Sequence, residues 1–140
     1  MARPKYSLGV KAGGGGQVKS LCITLAGMTL EALVARTAKL IMPEKGKIIA
    51  VTANVAAKGG TPGTDTLDVT AAGTSLLAST FNLNTIVAGT PVQKDDTGLS
   101  ATAASVAEGT ELRFTTAQSG GTSPTVALLT VQVDYVPLGD

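Results

Sequence analysis

The sequence predicts an all-β fold, an antiparallel β-sandwich of jelly-roll type with about seven or eight strands and an extended N-terminal arm. Three observations carry that expectation. Short runs of Val, Ile, Leu, Ala and Thr alternate apolar with polar residues, which is the pattern of strands buried on one face. Turn-forming Gly, Pro, Asn and Asp residues separate the runs. Helical periodicity surfaces in only one segment, and there it competes with a strand pattern. With 140 residues and 44% hydrophobic content, the chain has room for one domain with a single core plus a tail.

Residues 1–17 hold Gly13-Gly14-Gly15-Gly16 and almost nothing to bury, which predicts a flexible arm ahead of a domain over 18–140. The first strand begins near Val18, with Leu21, Ile23 and Leu25 alternating against Ser20, Cys22 and Thr24. Residues 28–42 fit either element. Leu30, Leu33, Val34, Ala38 and Ile41 trace a helical face, whereas Ala38, Leu40 and Met42 alternate as a strand. Pro43-Glu44-Lys45-Gly46 is a good turn into the next strand, so the second half is read as β and residues 28–36 stay open. In Lys47–Ala57, Ile49, Val51, Ala53 and Val55 are expected on one face, opposite Thr52 and Asn54. The Gly- and Pro-rich stretch 58–64 reads as a loop. Leu67 and Val69 face inward from the next strand, and Ala72-Gly73 turns the chain into 75–78. Farther on, Phe81 and Leu83 alternate, Asp95-Asp96-Thr97-Gly98 and Glu108-Gly109 are turns, and Leu112 and Phe114 share a face of 111–117. A loop over 118–124 leads to a last strand over 125–136, in which Leu129, Val131, Val133 and Tyr135 point inward.

Composition excludes most chemistry. The chain has no histidine, no tryptophan and one cysteine, Cys22. Most acid–base catalysis and transition-metal ligation rely on imidazole or thiolate, so neither an enzyme nor a cofactor is expected. One cysteine forms no internal disulfide, which fits a reducing cytoplasm, and in Leu21-Cys22-Ile23 it reads as an inert small hydrophobe. The basic start is followed by no apolar segment of signal-peptide kind, and no stretch approaches the roughly 18 uninterrupted apolar residues of a membrane span. Charge is uneven. Residues 1–47 hold eight Lys/Arg against two acids, and residues 48–140 hold three against eight. A basic arm on an acidic body suits a charged neighbour. The arm lacks an Arg-rich block and offers only Tyr6 for stacking, so a protein partner is expected and nucleic acid is not.

Three site patterns fail on their residues. A phosphate loop needs glycine before Lys-Ser, but here Val18 precedes Lys19-Ser20. Asp65 with Asp68, and Asp95 with Asp96, fall short of the regular oxygen spacing of a calcium loop, since Asp in a turn usually caps its own backbone. Sugar sites in sandwiches stack rings on aromatics, and Tyr6, Phe81, Phe114 and Tyr135 are all the chain has, so no small-molecule substrate is expected. That small aromatic content also makes a modest core, for which association with like subunits compensates.

Two stretches, Pro43-Glu44-Lys45-Gly46-Lys47-Ile48-Ile49-Ala50-Val51 and Gly60-Thr61-Pro62-Gly63-Thr64-Asp65-Thr66-Leu67-Asp68-Val69, followed by Ala72-Gly73-Thr74-Ser75-Leu76-Leu77, resemble β-sandwich structural proteins of tailed bacteriophages. Val106-Ala107-Glu108-Gly109-Thr110-Glu111-Leu112 and the closing apolar strand fit the same pattern. The nearest kind is the capsid decoration (cement or auxiliary) proteins. The resemblance spans 37–136 and rests on strand and turn pattern. It implies a homotrimer on the outer surface of the virion, bound to the major capsid protein, with no catalytic residues. The arm residues Arg3, Pro4, Lys5, Tyr6 and Lys11 are then the candidate partner-binding site. The alternative is a head- or tail-fibre adhesion module that binds a host surface.

Overall fold

A computed structural model describes residues 17–25, 31–32, 36–61, 64–119 and 122–139. Alternating short apolar runs form strands throughout, and the only helical pieces among these residues are three short 3₁₀ turns at Leu83–Thr85, Asp96–Gly98 and Ala101–Ala104. The strands are β1 (Lys19–Thr24), β2 (Glu31–Ala32), β3 (Thr37–Ile41), β4 (Gly46–Asn54), β5 (Ala57–Thr61) and β6 (Thr64–Ala71), then β7 (Thr74–Ser75), β8 (Phe81–Asn82), β9 (Val92–Asp95), β10 (Glu111–Ser119), β11 (Thr122–Ala127) and β12 (Thr130–Pro137). One sheet has the order β1-β12-β4-β9. A second has β3-β10-β6-β7, with β8 also on β6, and a small third sheet is β2-β11-β5. Every pairing is antiparallel.

The registers expose a simpler plan. Gly46 lies opposite Pro137, Asn54 opposite Thr130, Ala57 opposite Ala127, Thr61 opposite Thr122, Thr64 opposite Ser119 and Ala71 opposite Leu112. The ladder is therefore one long ribbon, interrupted at 55–56 against 128–129 and resumed in step, and the Thr61–Thr122 and Thr64–Ser119 pairs are likewise in step with each other. The three strands β1, β2 and β3 lie along the other side of the same return segments, with β1 on β12, β2 on β11 and β3 on β10. Folding this ribbon onto itself places two sheets face to face, as in a jelly-roll-like sandwich. Leu128 takes a left-handed φ of 50° at the first break. The Gly89 N–H donates to the Val55 carbonyl (2.7 Å) and the Leu25 N–H to the Leu129 carbonyl (2.8 Å), so backbone groups released by the break stay paired.

The core lies between the sheets. Val51, Val55, Leu129, Val131 and Val133 have no exposed surface and face Leu67, Val69, Leu112 and Phe114, which are likewise fully buried. Tyr135, Phe81 and Phe114 are all buried, so every aromatic side chain of the body contributes its large area. The expected turns at 72–73 and 108–109 are present, and of the turn expected over 95–98 the structure has Asp96–Gly98, with Asp95 closing β9. Ala72 (φ 51°) and Gly73 (φ 87°) make the two-residue hairpin that closes β6 onto β7.

Several expectations require correction. Ile49 does not share a face with Val51. The β4–β12 register slips between Ala50–Asp134 and Ile48–Tyr135, and this bulge buries Ile48 and leaves Ile49 half-exposed. In the stretch expected as a loop, 58–61 is strand, because β5 pairs with β11 despite its glycines, and β6 begins at Thr64; residues 62–63 lie outside the described residues. Strand also replaces most of the expected 118–124 loop, and the register slips between Thr122 and Thr125, where Pro124 has no N–H for the ladder. The last strand is broken at Leu128-Leu129, and the expected 75–78 strand shrinks to Thr74–Ser75. Among the described residues there are twelve strands where about seven or eight are expected, because breaks and two-residue pieces divide the runs. The open segment 28–36 holds a short strand at Glu31–Ala32, with its remainder, apart from Arg36, outside the described residues.

Candidate functional site

The predicted partner-binding residues Arg3, Pro4, Lys5, Tyr6 and Lys11 lie outside the described residues. The described residues include the start of β1, just after the predicted arm. Lys19 opens β1, and its Nζ lies 2.6 Å from Glu44 Oε2, which also accepts a hydrogen bond from the Tyr135 hydroxyl (2.9 Å). The Lys19 contact, and after it the Tyr135 hydroxyl, hold the Glu44 carboxyl below its usual range. Burial first, and the Glu44 carboxylate second, push the Tyr135 hydroxyl upward. The foot of the arm is thereby tied to the β3–β4 turn.

Apart from that tie, the described residues border an open hollow of about 370 Å³ where β4 meets the segment after β9. Ile48, Ile49, Leu99, Ala103 and Ala104 supply apolar walls, Asp95, Asp96 and Ser100 line it as polar groups, and Lys47 stands at its edge. The β4 bulge turns Ile49 outward into this hollow. Asp96 holds a left-handed φ of 46°, a conformation that Asp tolerates better than most residues. The sequence showed Asp95-Asp96-Thr97-Gly98 as a turn, but nothing local signals that it borders a hollow.

The other acids considered as cation ligands have separate roles. The Asp68 carboxylate accepts from the Ser75 hydroxyl (2.6 Å) and from the Val69 N–H (2.9 Å), so it pins the β6–β7 hairpin. Asp65 sits on the core side of β6, 5% exposed, with Gln118 opposite it on β10. Neither Asp65 Oδ1 nor Gln118 Oε1 has a hydrogen-bond partner, and burial pushes the Asp65 carboxyl above its usual range. Among the described residues no group of three or more His, Cys, Asp or Glu could hold a metal ion. Cys22, expected as a small packing hydrophobe, is an exposed free thiol on the outward face of β1.

Asp65 gives a measurable consequence. A carboxyl whose folded pKa is raised keeps its proton to higher pH in the folded chain than in the unfolded one. Its favourable contribution is complete below the unfolded pKa and is lost as pH rises through the folded pKa. Asp65→Asn is therefore expected to raise Tm at neutral pH, and the gain should vanish in acid below the ordinary carboxylate range. Calorimetry across pH checks this, and a lower Tm for Asp65→Asn at neutral pH would show that the carboxylate is needed charged.

No protein-family model matches the chain, and no curated protein matches it. Among solved structures, a chain in the structure of infectious bursal disease virus Gx strain is similar over 89% of this chain and 37% of that chain, with 12% sequence identity and a TM-score of 0.32. This chain therefore spans little more than a third of the length of the chain it matches. At that score the likeness carries no argument about function.

Proposed function

We propose that this chain is a non-enzymatic structural protein of a bacteriophage virion, a decoration protein that binds the major capsid protein on the outer capsid surface and associates as a homotrimer. The observation that carries this reading is the pairing of a compact β-sandwich with an acid-free basic segment: residues 1–30 contain no Asp or Glu, whereas most acids belong to the body. The body's chemistry agrees, because its buried residues are aliphatic and aromatic packing groups apart from Asp65 and Thr116, and Glu44 and Glu111 are ion-paired on the surface. Exposed Val18, Ile41 and Leu138 lie near the Pro43–Lys45 turn, where the Leu138 N–H donates to the Lys45 carbonyl (3.0 Å), and they offer apolar area for subunit contact. The mechanism is mass action. A protein that binds the assembled shell more tightly than its separated parts stabilises the shell by its differential binding free energy. Small molecules, nucleic acid and membranes have no part in it. Such a protein is made in the host cytoplasm and resides on the virion.

The arm tests the reading. Four successive glycines and three basic residues cannot offset the entropy of ordering without a partner surface. Deleting residues 2–16 is expected to leave Tm nearly unchanged while affinity for capsids lacking the protein falls and dissociation speeds up. Unchanged affinity and unchanged heat protection of the capsid would reduce the arm to a tail.

A further inference from the structure

We propose that the hollow between β4 and the 96–104 segment receives the N-terminal arm of a second copy of this chain, with Asp95 and Asp96 holding Arg3 and Lys5. The inference rests on the self-associating reading above and names the surface through which copies join.

The hollow is a gap in a sheet edge. On that side of β4, β9 pairs with Ala50 through Ala53 and stops at Asp95. The ladder resumes only at Gly46, which exchanges two backbone hydrogen bonds with Val106 (2.9 and 2.8 Å). Lys47, Ile48 and Ile49 have no strand beside them there, and an extended peptide is the ligand that fits such an edge. The bulge that exposes Ile49 and the left-handed Asp96 both occur at this place, and bulges and left-handed residues recur at binding sites.

Charge selects the occupant. The Asp95 and Asp96 side chains, both exposed, make no hydrogen bond or ion pair with any described residue. Glu44 and Glu111, by contrast, are paired with Lys19 and with Lys39 and Arg113. Two adjacent free carboxylates beside apolar walls fit a short basic segment that also carries apolar side chains. Arg3-Pro4-Lys5-Tyr6 is such a segment. A guanidinium and an ammonium meet the two carboxylates, and Pro4 and Tyr6 cover Ile49 and Leu99. Exchange between copies is a heterologous contact, an arm of one into the hollow of the next, and contacts of that type close into rings when the rotation permits.

Charge reversal in full-length chains tests it by sedimentation. The native chain is expected to associate, and to do so less as salt rises. Arg3→Glu with Lys5→Glu in one chain, and Asp95→Lys with Asp96→Lys in another, should each weaken association by about tenfold or more while melting like the native protein. Mixing the two variants should restore association between unlike chains, because each arm then meets the opposite charge in the other chain's hollow, while one of the three contacts in a ring of three stays mismatched and recovery is partial. A native chain that stays monomeric, variants that associate normally, or a mixture that stays dissociated would each overturn the inference. Capsid binding is scored separately. Normal association of the Asp95→Lys/Asp96→Lys chain together with normal capsid binding removes this inference and leaves the capsid reading intact, whereas charge-dependent association with no capsid binding does the reverse.

Discussion

Val131→Asp is expected to leave no folded protein. Val131 has no exposed surface and sits in β12, an inner strand of its sheet, between Ile23 of β1 and Ala53 of β4. A carboxylate there has no cation within the core and no route to water. Burying an unpaired charge costs several kcal/mol, against a total stability on the order of 5–15 kcal/mol for a domain. Removing methyl groups at the same site is a milder change. Val131→Ala leaves only a small cavity and should cost about 2 kcal/mol with the fold intact. Circular dichroism of the two variants separates charge from volume, and a soluble Val131→Asp protein with native melting would reverse the assignment of faces on β12.

Gly46→Ala should be costly out of proportion to one methyl group. Gly46 opens β4, pairs with Pro137 and bridges to Val106, and a Cβ there would fall 2.6 Å from Tyr135 Cδ2 and 3.2 Å from Met42 Cε. The Tyr135 ring cannot retreat easily, since it is 2% exposed and its hydroxyl is held by Glu44. Overpacking of this kind costs about 1–3 kcal/mol, equivalent to a fall in Tm of roughly 3–10 °C for a domain of this size. Removing most of the ring in a Gly46→Ala/Tyr135→Leu double variant should make the two losses less than additive. A Gly46→Ala protein with native Tm would contradict the packing described around Tyr135.

The fold class and the core were legible because alternation is local. Val51, Val55, Val131, Val133 and Tyr135 sit where the period of two puts them, and Leu67, Val69, Leu112 and Phe114 oppose them. What escaped was non-local. In Lys47-Ile48-Ile49-Ala50-Val51 four of the five residues are apolar, so a one-residue slip leaves the pattern intact, and only the pairing with β12 reveals which isoleucine turns outward. Gly59 and Gly60 look like loop, yet β5 is held by the partner strand β11, and tertiary pairing overrides propensity. The break at Leu128-Leu129 follows from the fold of the ribbon, since neither residue is a turn former. The hollow needs Gly46 to meet Val106 across sixty residues of chain, a contact that no local pattern announces.

Electron cryo-microscopy of expanded phage capsids that lack the protein, incubated with the purified chain, tests the proposed capsid decoration most directly. Added density is expected on the outer surface at three-fold and quasi-three-fold positions, each a trimer of sandwiches, with a thin arm crossing between neighbours. Bare capsids at saturating protein, or binding to host cells in place of capsids, would contradict it.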